Sequence, residues 1–252
     1  MVQYGFFFDA SRCTDCRGCV LVCRDWNDIP AGPVKWLRMF QYEKGSYPNV
    51  KLNTVWAPCY HCENPVCVDA ANGAMYKEDK YGAVLIDPDK AKSIDLRRAN
   101  DVCPYGAIQF DSDAMDATAS KCTMCIDRLE QGMQPRCAET CVQHALDFGP
   151  LADLENKYGN LKQLEDMPSP DVVKPAVVFR LQREKRQIVP YDAAAALQLL
   201  AKRDAVTPGL APVFNTPSDA TDIPPGIVGR DRLNMKAKNS AEALYWTKID
   251  EA

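Results

Sequence analysis

Twelve cysteines, all lying between Cys13 and Cys141, constrain this chain of 252 residues more tightly than any other feature. They bunch at gaps of two and three residues, and residues 142–252 contain none. Neighbours that close suit a metal better than a bridge, because adjacent disulfides would strain the backbone. A secreted disulfide scaffold would also be shorter and would spread its cysteines more evenly. The pattern therefore reads as a metal framework.

The first group is Cys13-x2-Cys16-x2-Cys19-x3-Cys23. One loop can wrap three corners of an iron–sulfur cubane with the first three thiolates, while the fourth, beyond a short turn, points away. This is the bacterial ferredoxin spacing, in which the fourth cysteine serves a neighbouring cluster. Arg24 stands where the ferredoxin run has proline. Paired C-x2-C motifs also make zinc sites, but four cysteines in eleven residues crowd a zinc tetrahedron. The last group, Cys122-x2-Cys125-x11-Cys137-x3-Cys141, is a stretched version of the same design. If fourth ligands are exchanged, Cys141 completes a site with Cys13, Cys16 and Cys19, and Cys23 completes one with Cys122, Cys125 and Cys137. The remaining four, Cys59-x2-Cys62-x4-Cys67 and the isolated Cys103, make a third. Three 4Fe-4S clusters then use every cysteine.

The absences carry information too. By the exchange rule Cys103 should end its own ferredoxin run, yet counting back from it gives Ser93, Leu96 and Ala99. Counting forward from Asp87 gives Ala91, Ile94 and Arg97, and Cys67-x3 lands on Ala71. The chain reads as a four-cluster design with one cluster deleted.

Outside the cysteines, Tyr4–Asp9 and Val84–Asp87 read as short strands leading into cysteine groups or their expected positions. Gly149-Pro150 punctuates the end of the cysteine-rich part. Beyond it, Leu151–Glu165 reads as a helix with apolar Leu151, Leu154, Tyr158, Leu161 and Leu164. Ala176–Phe179 is a strand. Tyr191–Ala205 is a second helix with Asp192 as N-cap. Prolines recur from Thr207 to Gly229, so this part is expected to be extended and to lie along another subunit. The expected fold class is α+β: two pseudo-symmetric ferredoxin-like lobes and a long C-terminal extension. Residues 1–150 form the cluster domain, one lobe being about 1–52 plus 108–150 and the other 53–107. Residues 151–252 form a helical and extended segment packing on a partner.

These residues resemble the iron–sulfur subunits of the molybdopterin oxidoreductases related to dimethyl sulfoxide reductase. The resemblance covers about Tyr4 to Phe179. It rests on the four cysteine blocks and on Cys62-Glu63-Asn64-Pro65, Cys103-Pro104-Tyr105-Gly106-Ala107 and Lys121-Cys122-Thr123-Met124-Cys125. Cys59–Pro65 and Val84–Lys92, with the missing fourth site, look like the small subunits of the branch that contains pyrogallol–phloroglucinol transhydroxylase, resorcinol hydroxylase and catechol dehydroxylases. In that branch the transhydroxylase small subunit carries a β-rich C-terminal domain, which this helical and proline-rich tail does not match. The resemblance implies a non-catalytic electron-transfer subunit of a two-subunit enzyme of anaerobic metabolism. The catalytic partner would hold bis-molybdopterin guanine dinucleotide with Mo or W and act on a hydroxylated aromatic. In four-cluster relatives the site deleted here is the one nearest a membrane subunit, so a soluble electron carrier is the expected further partner.

Other readings narrow the field. A net charge of −4 leaves no basic footprint for nucleic acid, and no apolar run is long enough to span a bilayer. Met1–Phe8 lacks the basic n-region of a signal peptide, and no twin-arginine address is present. A cytoplasmic location is expected, with export alongside a twin-arginine-bearing partner as the alternative. His61 and His144 are not needed as ligands and are placed for hydrogen bonds to cluster sulfur or backbone. Lys121 and Arg136 either offset thiolate charge or are simply solvated. Trp26, Trp36, Trp56 and Trp246 serve a subunit contact or the core. No acid–base pair, phosphate loop or nucleophile triad stands out. A subunit of a formate dehydrogenase or hydrogenase, and a zinc-stabilised module, are the rival readings.

Overall fold

The computed structural model describes residues 2–44, 51–183, 192, 194, 195, 198 and 235–249. Two compact units are present: one comprises Met1–Gln41, Thr54–Gln182 and Arg232–Ala252, the other Tyr42–Asn53 and Arg183–Asp231. The first carries all twelve cysteines and is built around strand β1 (Tyr4–Asp9). Its run of three phenylalanines alternates faces as a strand must. β1 lies between β8 (Leu146–Pro150) and β9 (Val177–Arg180). It pairs antiparallel with β8, Phe6 opposite Phe148, and parallel with β9, Phe6 opposite Val177.

Phe7 points to helix α6 (Leu151–Tyr158), where it joins Leu151, Leu154, Ala176 and Val178. The Tyr158 ring stacks on it at 3.6 Å. On the opposite face, Phe6 and Phe8 meet Trp56 of strand β3 (Lys51–Ala57). Phe148, Tyr60 and Phe179 extend this aromatic layer. Phe6, Phe8 and Phe179 are each about 1% exposed, and each contributes about 1.5–3 kcal/mol by leaving water. β3 pairs with β2 (Arg38–Lys44).

The helices that carry or flank the cysteines are short. They are α1 (Gly18–Trp26), α2 (Val66–Ala70), α3 (Arg97–Val102), α4 (Ile126–Leu129) and α5 (Arg136–Glu139). Two-stranded pairs separate them: β4 (Met75–Lys77) with β5 (Val84–Ile86), and β6 (Gln109–Phe110) with β7 (Ala119–Ser120). Helices of four to six residues cannot hold themselves together in water. Their positions depend on what their side chains grip.

The expected strands at the chain start, at Val84 and at Val177 are all present. The helix expected to reach Glu165 instead stops at Tyr158, because Gly159 turns the chain at φ 92°. Leu164 is still buried, reached by loop rather than helix. The boundary expected at residue 150 falls between β8 and α6, inside the first unit. Asp192 accepts the Ala195 amide at 3.0 Å, as an N-cap does. The rest of the Tyr191–Ala205 helix and the Thr207–Gly229 stretch lie outside the described residues.

The last described segment returns to the first unit. Residues 235–243 pack against their own chain, because buried cations there need acceptors. Arg38 donates to the Met235 carbonyl at 2.7 Å and Lys35 to the Ala243 carbonyl at 3.0 Å. The Ser240 amide and hydroxyl, at the start of α7 (Ser240–Ile249), bind Asp113. Among the described residues no helix is long and apolar enough to cross a membrane.

Gly5 marks the tightest approach in the sheet: a Cβ there would sit 2.4 Å from the Ala176 carbonyl oxygen. Gly5→Val should therefore part β1 from its β9 side and cost about 1–3 kcal/mol. Thermal melting checks this, and an unchanged midpoint would contradict it.

Candidate metal centres

Each cysteine loop begins where a strand or turn delivers it. Asp9, at the end of β1, is 1% exposed. Its carboxylate accepts the Ser11 amide and hydroxyl and pairs with Arg180 at 3.1 Å, while its carbonyl accepts the Cys13 amide. Asp9 thus fixes the turn that launches the first ligand loop. Around Cys62, the Glu63 and Asn64 amides bind the carbonyls of Lys174 and Val173, and Lys77 Nζ donates to the carbonyls of Cys62 and Glu63.

The first C-x2-C pair of each of the three cysteine groups shares one backbone device. The residue before the second cysteine is left-handed in each: Asp15 at φ 53°, His61 at 45° and Met124 at 62°. That conformation is costly for non-glycine residues, and it curls successive amides into a concave nest suited to anionic sulfur. Amides also reach the thiols directly. Met124 N lies 3.4 Å from Cys122 Sγ, and Ala145 N lies 3.3 Å from Cys141 Sγ.

The thiols gather in fours. Cys19 feels the neighbouring charge of Cys13, Cys141 and Cys16, and these four wall a cavity of about 100 Å³. Cys137 feels Cys122, Cys125 and Cys23, and these four line a second, narrow cavity closed by Phe6, Trp36 and Leu37. Cys62 feels Cys59, Cys103 and Cys67. Cys19 and Cys23 stand four residues apart on α1 and so share one face, whereas Cys137 lies on α5 and Cys141 just beyond its end. Cys19 also reaches Cys137, and Cys59 reaches Cys122. The groups therefore run in the order Cys13, Cys122, Cys59.

A single zinc ion would need a tighter arrangement. Bonds of 2.3 Å in a tetrahedron place sulfurs about 3.8 Å apart. Among the described residues no three Cys, His, Asp or Glu side chains form a group able to hold one metal ion. Four thiols around a cavity with apolar walls and inward amides fit a polynuclear iron–sulfur group.

The histidines divide. His61 is fully buried, and its Nδ1 accepts the Val84 amide at 3.0 Å. Burial, aided by the Lys121 and Lys77 charges, holds its pKa well below the ordinary value, so the ring is neutral. The His144 carbonyl accepts a bond from Arg12. Lys121, 3% exposed, is not solvated: its ammonium donates to the Val84 and Cys122 carbonyls. Arg136 instead pairs with Glu139 at 2.8 Å, partly exposed. Trp56 is wholly buried, whereas Trp26 is 40% exposed and donates to Asp127. Trp36 donates to Ser120. The side chain of Trp246 lies outside the described residues. Sequence reasoning missed Arg38, a guanidinium 5% exposed beside Cys59 and Cys103. Its signal was a lone charge between the apolar pairs Trp36-Leu37 and Met39-Phe40.

The positions expected to lack ligands also come together. Ala71, Leu96 and Ala99 are each at most 1% exposed and share one apolar cluster with Ala74, Met75, Val84 and Ile108. Ala91 and Ile94 pack against it, while Ser93 is exposed. No non-glycine residue between 83 and 105 is left-handed.

Comparison with known proteins places these features in a family. Residues 50–151 match the 4Fe-4S dicluster domain. The B subunit of the anaerobic dimethyl sulfoxide reductase of Escherichia coli (strain K12) is 36% identical over 73% of this protein and 91% of its own length. The formate dehydrogenase 2 subunit beta (cytochrome c-553) of Nitratidesulfovibrio vulgaris is 35% identical over 74% of this protein and 96% of its own length. The pyrogallol hydroxytransferase small subunit of Pelobacter acidigallici is 35% identical over 59% of this protein and 57% of its own length.

Burial pushes the free thiol of Cys13 up to about 11, and those of Cys19, Cys23 and Cys67 up to about 12. Unfolded thiols titrate near 9.0. The cluster-free chain therefore keeps the stability of these neutral thiols below about pH 9 and loses it as pH rises through about 11 to 12. Denaturant midpoints of cluster-free protein should fall between about pH 8 and about pH 10. Midpoints that rise over that interval would contradict the burial of protonated thiols.

Proposed function

The chain belongs to the iron–sulfur subunits of the dimethyl sulfoxide reductase-type oxidoreductases, and we propose that it relays single electrons through three 4Fe-4S clusters. It is an electron-transfer subunit and has no catalytic centre of its own. The observation that carries the number three is the gathering of twelve thiols into three fours, with nothing left over. Cys13, Cys16, Cys19 and Cys141 hold the first site. Cys122, Cys125, Cys137 and Cys23 hold the second, and Cys59, Cys62, Cys67 and Cys103 the third. The apolar packing of Ala71, Leu96 and Ala99 supports deletion of a fourth.

Two pseudo-symmetric lobes are part of this proposal. In each half a short helix bearing a cysteine leads through a turn to a strand: α5 with Cys137 to β8, and α2 with Cys67 to β4. Ala71 follows α2 as Cys141 follows α5.

When bound, each cluster takes up and releases one electron. The chain's residues hold the sites in a line, within protein that excludes water. The partner is a catalytic subunit holding bis-molybdopterin guanine dinucleotide with Mo or W, and its substrate a hydroxylated aromatic. The segments Cys59–Pro65 and Val84–Lys92 and the similarity to the pyrogallol hydroxytransferase small subunit favour that substrate. The longer match to a formate dehydrogenase beta subunit favours formate as a second reading. The complex is proposed to be cytoplasmic and to exchange electrons with a soluble carrier.

Cys103→Ser should remove about four irons and leave the first two sites intact. Cys23→Ser should instead damage the site of Cys122, Cys125 and Cys137. Paramagnetic resonance and iron analysis of the purified complex check both. Damage by Cys23→Ser confined to the Cys13 site would refute the exchange, and assays with trihydroxybenzene and formate separate the two substrate readings.

A further inference from the structure

Three thiol groups of the same composition do not sit in the same electric environment. Beside the third site lie four cations. The Arg38 guanidinium faces Cys59 and Cys103. Lys121 faces Cys67, Lys236 faces Cys103, and Lys77 lies near both Cys62 and Glu63. At the second site Lys121 faces Cys122. Cys125 there meets both Arg128 and Asp127, and Arg128 is neutralised by Glu139 at 2.7 Å. The charge nearest Cys13 at the first site is a carboxylate, Asp15, itself paired with Arg17 at 3.1 Å.

Arg38 and Lys121 are the unusual members of this set. Both are buried, at 5% and 3% exposure. Neither has a carboxylate partner among the described residues. Arg38 donates only to the carbonyls of Tyr105 and Met235, and Lys121 only to those of Val84 and Cys122. A buried cation without a counter-charge is strongly destabilising, and a guanidinium does not escape by losing its proton. Thiolate-ligated clusters supply the missing negative charge. The dependence runs both ways, because a fixed positive charge in a low-dielectric interior stabilises whichever state of its neighbour is more negative.

We infer that Arg38 and Lys121 make the Cys59/Cys62/Cys67/Cys103 site the highest-potential member of the relay, so that electrons settle at this end of the line. The inference rests on the three-cluster reading above. Arg38 acts on this site alone, whereas Lys121, lying between Cys67 and Cys122, acts on this site and the second. Both are positioning residues: they donate no electron and bind no substrate.

The test is a potentiometric titration of the anaerobically purified complex, followed by paramagnetic resonance, with iron counted on the same samples. Arg38→Gln should lower one signal only, the one that is highest in the unaltered protein. The reduced-to-oxidised ratio at fixed potential should fall at least tenfold, about 59 mV for a one-electron couple. Arg38→Lys keeps the charge but not the paired hydrogen bonds, and should restore most of the loss. Lys121→Met should lower the same signal together with a second. The inference is overturned if Arg38→Gln shifts no signal, shifts one that is not the highest, or is matched by Arg38→Lys. If Arg38→Gln fails to retain the third cluster, Lys121→Met decides alone, since the two signals it lowers must include the highest. A wrong ranking with three clusters present sinks only this inference, whereas a different number of clusters sinks the reading beneath it.

Discussion

A sulfur atom buried without a bond is an expense, and this chain buries five of its twelve. Cys23, Cys59, Cys103, Cys125 and Cys137 are inside the protein, and only Cys16 is exposed. Around them stand helices of four to nine residues and strands of two or three, too short to be stable by local interactions. Thiolate–iron bonds supply the cross-links that such pieces need, because metal binding free energy becomes folding free energy. One conventional core lies on the sheet of β1, β8 and β9, its aromatic face on Trp56 and its aliphatic face on α6. That sheet fixes Asp9 and the turn into Cys13, and the remaining loops follow from the sites they surround.

Where ligands are missing, packing takes over. Ala71, Leu96 and Ala99 occupy positions that a fourth site would give to cysteine, and they close on one another with less than 2% exposure. The backbone changes with them. The left-handed residue that curls each ligand loop has no counterpart between 83 and 105, where a short 3₁₀ turn and α3 run instead. In the three-cluster reading proposed above, the end of the relay without iron is a small hydrophobic core, which needs no metal to hold.

Much of this was legible in the sequence because cysteine spacing is a geometric statement. The strands at Tyr4, Val84 and Val177 followed from residue types at fixed intervals, and the three four-cysteine groups proposed above rest on the same kind of spacing. Other features depended on contacts distant in sequence. Gly159 ended α6 early although Leu161 and Leu164 continued its apolar period. Arg38 lies 67 residues from one carbonyl it binds and 197 from the other, so its apolar neighbours in sequence hint at burial but do not reveal its acceptors. The return of residues 235–243 to the cysteine region was hidden for the same reason, since their acceptors serve Lys35 and Arg38. Lys121 was half legible: its place beside Cys122 suggested a charge role, but only burial distinguishes it from a solvated lysine.

The measurement closest to the centre of this account is iron and acid-labile sulfide per chain in the anaerobically purified complex, with zinc, molybdenum and tungsten assayed alongside. About twelve irons and about twelve sulfides, with molybdenum or tungsten in the partner, are what three cysteine-held cubanes require. Zinc in place of iron would contradict the account, as would about sixteen irons, which would put a cluster where Ala71, Leu96 and Ala99 now pack.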